Sequence, residues 1–187
     1  GAMGMSEPHV GTDVLGMKTT AVRKGSGYVI NGRKMWITNG AVDENKTPCD
    51  GVLVYARTDT GTAGKSRIST FFVERTNKGF SVGQKIQDKT GMRASNTAEL
   101  VFDQCEVPES SRVGGEGDSM LHMMRNLELE RLTLAAMSLG IARRSLEIML
   151  KYADEREAFG ETLNKFGQIQ RHIGESYAEY RSIRAYL

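Results

Sequence analysis

The chain has 187 residues, of which 39% are hydrophobic and 26% are charged, a composition typical of a globular protein with one large domain or two small ones. The formal net charge is only +2, and no run of five basic residues occurs, which argues against a nucleic-acid partner. No apolar run approaches the roughly 20 residues of a transmembrane helix, and the first residues lack the basic and apolar regions of a signal peptide.

Cysteine and histidine are sparse. Cys49 and Cys105 allow at most one bridge, which is too few for a disulfide framework and favours a reducing compartment. His9, His122 and His172 lie far apart and form no HExxH or similar spacing. The sequence therefore predicts no metal site.

Residues 1–107 are predicted to form a β-domain, because segments rich in β-branched and aromatic residues alternate with turn-forming segments. Asn31-Gly32 separates the segment 28–30 from residues 33–38, and Asn-Gly is the strongest short-range signal for a hairpin turn. Further strands are predicted at 52–57, 68–74, 80–85 and 97–102. Short strands at this spacing favour an antiparallel β-barrel or sandwich.

The pattern changes at Pro108. Residues 108–118 are rich in serine, glycine and glutamate and are predicted to form a linker. Asp118 or Ser119 can cap a helix over residues 119–154. Phe159-Gly160 then interrupts the helical pattern.

A second helix is predicted from about residue 163 to the end of the chain. The fold class is therefore α+β, with the β-domain at 1–107 and long antiparallel helices of a helical bundle at 119–187. Two long helices cannot cover their apolar faces by themselves. We expect the bundle to be completed by helices from elsewhere in the protein or from a partner.

One carboxylate interrupts the apolar stripe of the first predicted helix. At helical spacing the stripe contains Met120, Met123, Leu127, Glu130, Leu134, Met137 and Ile141. Periodicity alone leaves two interpretations of Glu130: a structural ion pair with a cation from another segment, or a desolvated general base that faces a cavity. Glu128 lies on a different face, with Arg131 three residues on, as in an ordinary surface pair.

Several motifs together resemble the acyl-CoA dehydrogenase family. They are MSEPHVGTD at 5–13, INGRKMWITNG at 30–40, GMRASNT at 91–97, REAFG at 156–160 and FGQIQ at 166–170. Their order and spacing cover essentially the whole chain. The resemblance implies a homotetrameric FAD-containing protein with helical, β-barrel and helical domains, of which this chain holds the middle domain and the start of the last.

The reaction that the resemblance implies is α,β-dehydrogenation of an acyl-CoA thioester. A glutamate removes the α-proton, a hydride passes to FAD, and the electrons leave to electron-transferring flavoprotein. In most members the base lies on a later helix, but in the isovaleryl-CoA dehydrogenase branch and the long-chain branch it occupies the place of Glu130. The context of Glu130 resembles the isovaleryl branch, which acts in leucine degradation. The compartment implied is the mitochondrial matrix in a eukaryote or the cytoplasm in a bacterium.

The resemblance also implies roles in substrate binding. Leu127, Glu128 and Arg131 would line the substrate site beside the base, with Arg131 holding the helix or meeting the CoA side. Ser95 and Asn96 would contact CoA, and an ordinary polar loop is the alternative.

Seven further residues are implied to hold FAD. Met5 and Ser6 would contact the pyrimidine edge of the flavin, Trp36 would lie beside the ring system, and the Thr38 hydroxyl would bond the flavin N5. Thr12 would contact the pyrophosphate or the substrate. Arg156 would contact the pyrophosphate of FAD in a neighbouring subunit, and Phe159 would pack on the adenosine. Four of these assignments also have a structural alternative. Trp36 can belong to the core or to a cross-strand pair, and Thr38 can reflect β-propensity. Residues 11–13 can form a turn and a cap, and Arg156 can be a solvated charge or a partner of Tyr152.

Two alternatives to an isovaleryl-type enzyme stay open. The same scaffold can act on long-chain or other short branched acyl-CoA substrates. The chain can also be a non-catalytic module that needs other subunits.

Overall fold

The computed structural model describes residues 1–58 and 67–187. These residues form two compact units, Gly1–His122 and Met123–Leu187. The first is built from strands and the second from helices, which agrees with the predicted α+β class.

A single mixed sheet dominates the first unit. Its strands are β1 (Ala2–Gly4), β2 (Thr20–Lys24), β3 (Gly27–Thr38), β4 (Gly51–Thr58), β5 (Arg67–Glu74), β6 (Phe80–Lys85), β7 (Thr97–Pro108) and β8 (Arg112–Val113). The spatial order is β6-β7-β3-β2-β4-β5-β8, and β1 pairs with β4. Most pairs are antiparallel as predicted, but β1 and β2 each lie parallel to β4.

The core of this unit is apolar and contains several aromatic rings. Tyr28 packs against Phe71 with ring centroids 4.9 Å apart, and Phe80 stacks on Phe102 at 5.2 Å. Both free cysteines are buried, and burial raises the pKa of Cys105 to about 11. A thiol with a raised pKa and no access to solvent is unreactive, so Cys105 is a packing residue.

The hairpin turn predicted at Asn31-Gly32 is wrong, because β3 runs unbroken through both residues. Instead β7 carries an extra residue opposite them, and Gln104 takes φ +48 in this bulge. The Asn31 Oδ1 accepts the Gln104 backbone N–H at 2.8 Å. A Cβ on Gly32 would lie 2.4 Å from Thr19 Oγ1, so the glycine permits a close approach of two backbones.

Residues 108–118, predicted as a linker, contain local structure. Glu109–Ser111 form a 3₁₀ turn, and β8 pairs with the edge of β5. The Ser119 and Thr70 hydroxyls lie 2.6 Å apart in a buried hydrogen bond. These bonds attach the segment to the β unit.

The helical elements are α1 (Ser119–Glu155), a short hairpin of β9 (Glu157–Ala158) and β10 (Glu161–Thr162), and α2 (Gly167–Tyr186). The second helix begins four residues later than predicted, because Leu163–Lys165 form a 3₁₀ turn. No helix in residues 1–58 and 67–187 has the length and apolarity to cross a membrane.

Much of the apolar surface of α1 is exposed. Leu134, Met137 and Ile141 of the predicted stripe are 55%, 44% and 63% exposed, whereas Met123 is 2% exposed. An apolar groove of about 480 Å³ also runs between α1 and α2, lined among others by Leu146. This supports the expectation that further helices cover the bundle.

Candidate active site

Trp36 stands in a second irregularity of the sheet. Lys34 pairs with Leu100 and Ile37 with Ala98, so β3 carries one residue more than β7 between these pairs. Trp36 has φ +65 and is 62% exposed. A bulky residue rarely takes positive φ, and bulges commonly re-aim a side chain beside a functional site. The core alternative for Trp36 does not fit this exposure.

The segment of Met5 and Ser6 is fastened to β3 directly beside Trp36. The Met35 backbone N–H donates to the Ser6 carbonyl at 2.9 Å, and the Lys34 ammonium donates to the Met5 carbonyl at 3.0 Å. Both Met5 and Ser6 are half-buried. The structure therefore brings these residues together with the indole at one stretch of strand.

The end of β3 adds a polar set. Thr38 is exposed and pairs with Thr97, while Ile37 before it is buried. The Asn39 N–H donates to the Asn96 carbonyl at 2.7 Å, and the Lys89 ammonium donates to the Ser95 carbonyl at 2.5 Å. Ser95 and Asn96 thus lie beside the strand end that presents Thr38.

Thr12 occupies an exposed turn. Glu7 and Val10 form a backbone bridge just before it, with N–H to carbonyl distances of 2.8 and 3.1 Å. A 3₁₀ turn, Val14–Gly16, follows, but Asp13 makes no side-chain capping hydrogen bond to it. The chain bends at Gly11 and Thr12, and the predicted cap is absent.

A buried ion pair beneath Met5 and Ser6 was not predicted from the sequence. The Lys34 Nζ lies 2.9 Å from the Glu7 Oε1, and the two side chains are 0% and 1% exposed. The Glu7 carboxylate also accepts the backbone N–H groups of Lys18 and Thr19, at 2.7 and 2.9 Å. No local signal in the sequence reports the pair, because a regular strand with Ile37 buried would place Lys34 on the exposed face with Trp36.

The charges of this pair shape each other's titration. Burial alone would raise the pKa of Glu7, but the N–H groups of Lys18 and Thr19 and the Lys34 ammonium outweigh it and hold that pKa below its usual value. Burial lowers the pKa of Lys34, and Glu7 offsets only part of this effect. Lys34 and backbone donors thus favour the charged form of Glu7, and Glu7 favours the charged form of Lys34.

Glu130 lies on α1 and is half-buried. The Asn126 Nδ2, one turn earlier, donates to the Glu130 Oε1 at 2.6 Å. Within Met123–Leu187 no lysine, arginine or histidine lies within ion-pair distance of this carboxylate. The only polar partner that this unit is seen to give Glu130 is thus a neutral amide.

The residues around Glu130 are accessible to a ligand in this unit. Leu127 is half-buried, whereas Glu128 and Arg131 are exposed. The predicted surface pair between Glu128 and Arg131 is absent among the ion pairs of this unit, which join other residues of α1 and α2. Two charged side chains beside Glu130 therefore point into open space.

Arg156 and Phe159 follow the end of α1. The Arg156 backbone N–H donates to the Tyr152 carbonyl at 2.9 Å, and Arg156 is exposed without an ion pair inside the helical unit. Phe159 and Gly160, at φ +53 and +83, make the tight turn between β9 and β10. Phe159 is 98% exposed. An exposed cation and an exposed aromatic ring thus lie three residues apart in the chain.

The predicted site residues fall into separate groups. Met5, Ser6, Trp36, Thr38, Ser95 and Asn96 collect along β3 in the first unit, whereas Glu130 and its neighbours lie on α1 in the second. Arg156 follows Glu130 along that helix by roughly 40 Å at 1.5 Å per residue. Arg156 and Glu130 therefore cannot serve the same small group within one chain.

Comparison with known proteins decides the family. The family model described as "Acyl-CoA dehydrogenase, middle domain" matches residues 2–105, and the one described as "Acyl-CoA dehydrogenase, C-terminal domain" matches residues 119–187. The chain belongs to the acyl-CoA dehydrogenase family. The matched ranges leave residues 106–118 between them, where the structure has the end of β7 and the edge strand β8.

Relatives of this acyl-CoA dehydrogenase family member span its whole length. It is 44% identical to the mitochondrial 2-methylacyl-CoA dehydrogenase and 43% identical to the mitochondrial isovaleryl-CoA dehydrogenase of Solanum tuberosum, each over 100% of this chain and 43% of the relative. A glutaryl-CoA dehydrogenase from Mycobacterium smegmatis in complex with FADH2 has a TM-score of 0.85 and 34% identity, over 97% of this chain and 44% of that one. The chain thus spans less than half the length of these relatives.

The residues of this acyl-CoA dehydrogenase chain fit a flavin nucleotide chemically. An exposed indole with a hydroxyl two residues on suits a flat heteroaromatic ring. An exposed guanidinium three residues from an exposed phenyl ring suits a phosphate joined to a nucleoside. Within residues 1–58 and 67–187 no cluster of three metal-binding side chains occurs.

Proposed function

We propose that the protein is an FAD-dependent acyl-CoA dehydrogenase of the isovaleryl type, which oxidises the Cα–Cβ bond of a short branched acyl-CoA. The observation that carries the proposal is Glu130, a half-buried carboxylate on α1 that its own unit supplies with an amide partner instead of a cation. The relatives that are 43% and 44% identical bear the names of enzymes for branched acyl-CoA substrates.

Glu130 is the proposed general base for the α-proton. The Asn126 amide donates to Oε1 at 2.6 Å, which fixes the carboxylate and leaves Oε2 to receive the proton. A neutral donor orients the carboxylate without pairing it with a full opposite charge, which suits a general base. Placement on a packed helix reduces the entropy lost when the substrate reaches the base.

The stretch of β3 is the proposed flavin edge. Trp36 would cover the ring system and exclude water, Thr38 would donate its hydroxyl to the flavin N5, and the backbone at Met5 and Ser6 would meet the pyrimidine edge. FAD supplies the acceptor for the electrons that leave the substrate Cβ. This role is consistent with the outward position and strained φ of Trp36, since strained residues concentrate at functional sites.

Substrate and CoA contacts are proposed on both units. Leu127, Glu128 and Arg131 would line the acyl-CoA site next to the base, and Ser95 and Asn96 would hydrogen-bond the CoA chain. Thr12, exposed in its turn, would reach the FAD pyrophosphate or the substrate.

Arg156 and Phe159 support a proposed homotetramer. Since Arg156 directly follows α1, roughly 40 Å from Glu130 at 1.5 Å per residue, Arg156 and Phe159 would hold the pyrophosphate and adenosine of FAD bound to a neighbouring subunit. The exposed apolar face of α1 is the kind of surface that assembly buries. Electron-transferring flavoprotein is the proposed electron acceptor. The proposed compartment is the mitochondrial matrix, as the names of the two plant relatives state for those proteins, or the cytoplasm in a bacterium.

The test uses the full-length protein, expressed from its complete gene. Isovaleryl-CoA is added anaerobically, and loss of the yellow flavin absorbance is followed by stopped flow. Glu130→Gln should retain FAD and ligand binding but lose several orders of magnitude in the bleaching rate. Glu147→Gln, at an exposed position farther along α1 with the same change in charge, is the matched control and should lose far less.

Two results would contradict the proposal. A Glu130→Gln rate near that of the unmodified protein would place the base elsewhere, and a protein without bound flavin would favour the non-catalytic module. Substrate preference is read in the same assay with a 2-methylacyl-CoA, a straight short-chain acyl-CoA and a long-chain acyl-CoA. Faster bleaching by any of these would assign the substrate to that class.

A further inference from the structure

The Glu7–Lys34 ion pair needs an explanation beyond stability. Both side chains are buried, at 1% and 0% exposure, and neither has a role in the proposed chemistry. Replacing a buried ion pair by apolar side chains of similar volume commonly leaves stability unchanged or improves it. In some proteins such a pair specifies one arrangement of the chain, and the hydrogen bonds of this pair show which arrangement it would specify.

The bonds of the pair join three separate segments. Glu7 accepts the N–H groups of Lys18 and Thr19, and Lys34 donates to the Met5 carbonyl. The next residue on β3, Met35, donates its own N–H to the Ser6 carbonyl at 2.9 Å. Two hydrogen bonds therefore hold the backbone of Met5 and Ser6 to β3, one from the Lys34 ammonium and one from the Met35 N–H.

The same lysine marks the start of the bulge that contains Trp36. Lys34 is the last residue in register with β7 before the extra residue, and Ile37 is the first after it. The ammonium can reach Glu7 only with its stem directed inward. With the stem inward at Lys34 and Ile37 buried, the intervening bulge leaves the indole on the outside.

We propose that the Glu7–Lys34 pair is a positioning element, which fixes the Met5–Ser6 backbone and the Trp36 bulge relative to each other as a preformed surface for a planar heteroaromatic ring. Neither residue touches the ring; each acts through Met5, Ser6 or Trp36. The identity of the ring as a flavin rests on the proposed function, but the positioning is a property of the ligand-free β unit.

The test follows Trp36 in ligand-free protein. Trp36 is the only tryptophan, so fluorescence depolarisation reports its side-chain motion alone. Lys34→Met and Glu7→Gln change the pair with little change in volume. We expect about twofold greater subnanosecond depolarisation of Trp36 and about tenfold faster hydrogen exchange at the Met35 amide.

Val73→Ala is the matched control. Val73 is a fully buried residue of β5 and belongs to neither the pair nor the bulge, so its truncation lowers stability by loss of packing. At a temperature where every variant is folded, we expect it to leave Trp36 depolarisation and Met35 exchange unchanged. Equal changes in Val73→Ala would reduce the pair to a stability element and overturn the proposal.

Unchanged depolarisation and exchange in folded Lys34→Met and Glu7→Gln would also overturn it. If Lys34→Met does not fold, the double variant Glu7→Gln/Lys34→Met, which buries no unpaired charge, provides the same measurement. In the full-length protein, the affinity of the Glu7 and Lys34 variants for FAD should fall about tenfold. If the variants increase Trp36 depolarisation but the unmodified full-length protein does not bind FAD, the positioning role stands and only the proposed function is contradicted.

Discussion

Lys34 and Trp36 lie two residues apart on one strand, yet Lys34 is completely buried and Trp36 is 62% exposed. A regular strand would direct both side chains to the same face. The extra residue in β3 between Lys34 and Ile37 reverses the alternation. One bulge thus places a charge in the interior and an indole on the surface within a few residues of the same strand.

The acid sensitivity of the β unit should depend on Glu7. Because its pKa is lowered in the folded state, Glu7 stabilises the fold above its unfolded pKa, and this stabilisation is lost as pH falls through the folded value. Glu7→Gln should therefore flatten the dependence of the unfolding free energy on pH below about 4.5. Urea unfolding at a series of pH values measures the slope.

Glu106→Gln is the control for that measurement. Glu106 also has a lowered pKa, through its hydrogen bond to Lys24 and the charge of Lys24, but this pair is exposed. Salt at about 0.5 M should remove most of the Glu106 effect and leave the Glu7 effect in place, since exposed charges are screened far more than buried ones. Equal salt sensitivity of the two variants would contradict the buried pair.

Gly32→Ala should destabilise the β unit. Gly32 has φ +150, and a Cβ there would lie 2.4 Å from Thr19 Oγ1 and 2.7 Å from Thr19 Cα. The backbone must move to make room, which costs about 2 kcal/mol or more. Chemical denaturation of the 187-residue chain gives the change in unfolding free energy.

Gly11→Ala provides the comparison for Gly32. A Cβ on Gly11 would meet no heavy atom within 4 Å, and Gly11 has no positive φ. A methyl group there should therefore change the unfolding free energy by less than about 0.5 kcal/mol. Similar losses for both variants would contradict the close approach of Thr19 as the cause of the effect.

Local sequence patterns predicted the regular elements well. The strand predicted at 80–85 has the observed bounds, the strand at 52–57 lies within Gly51–Thr58, and the helix at 119–154 ends one residue early. These segments have a strong hydrophobic periodicity, so the local sequence is sufficient to predict their type and bounds. The missed strand Thr20–Lys24 has only two apolar residues and owes its pairing to β3 and β4.

Long-range contacts explain the remaining errors. Asn31 accepts a bond from Gln104, which is 73 residues away, and Lys34 pairs with Glu7, which is 27 residues away. No short motif reports such distances, and two charged residues in a sequence read as solvent-exposed. The resemblance to the family named Met5, Ser6 and Trp36, but it did not reveal the pair beneath them.

Phe159 should lower the stability of the helical unit while contributing to FAD binding. It occupies the first position of the β9–β10 turn at φ +53, followed by Gly160 at φ +83, a geometry that strongly favours Asn-Gly. Phe159→Asn should raise the unfolding free energy of the helical unit by about 1 kcal/mol, because asparagine adopts this conformation with less strain. Thermal unfolding of the chain by circular dichroism measures the gain.

Phe159→Ala separates the turn from the ring. Alanine keeps the backbone strain but removes the phenyl group, which is 98% exposed and makes only an edge contact to Phe166 at 6.3 Å. Both variants should therefore weaken FAD binding in the protein with every gene-encoded residue, while only Phe159→Asn gains stability. Undiminished FAD affinity in both would remove Phe159 from the proposed adenosine site, because an aromatic ring this exposed stabilises the bound state only by covering a ligand.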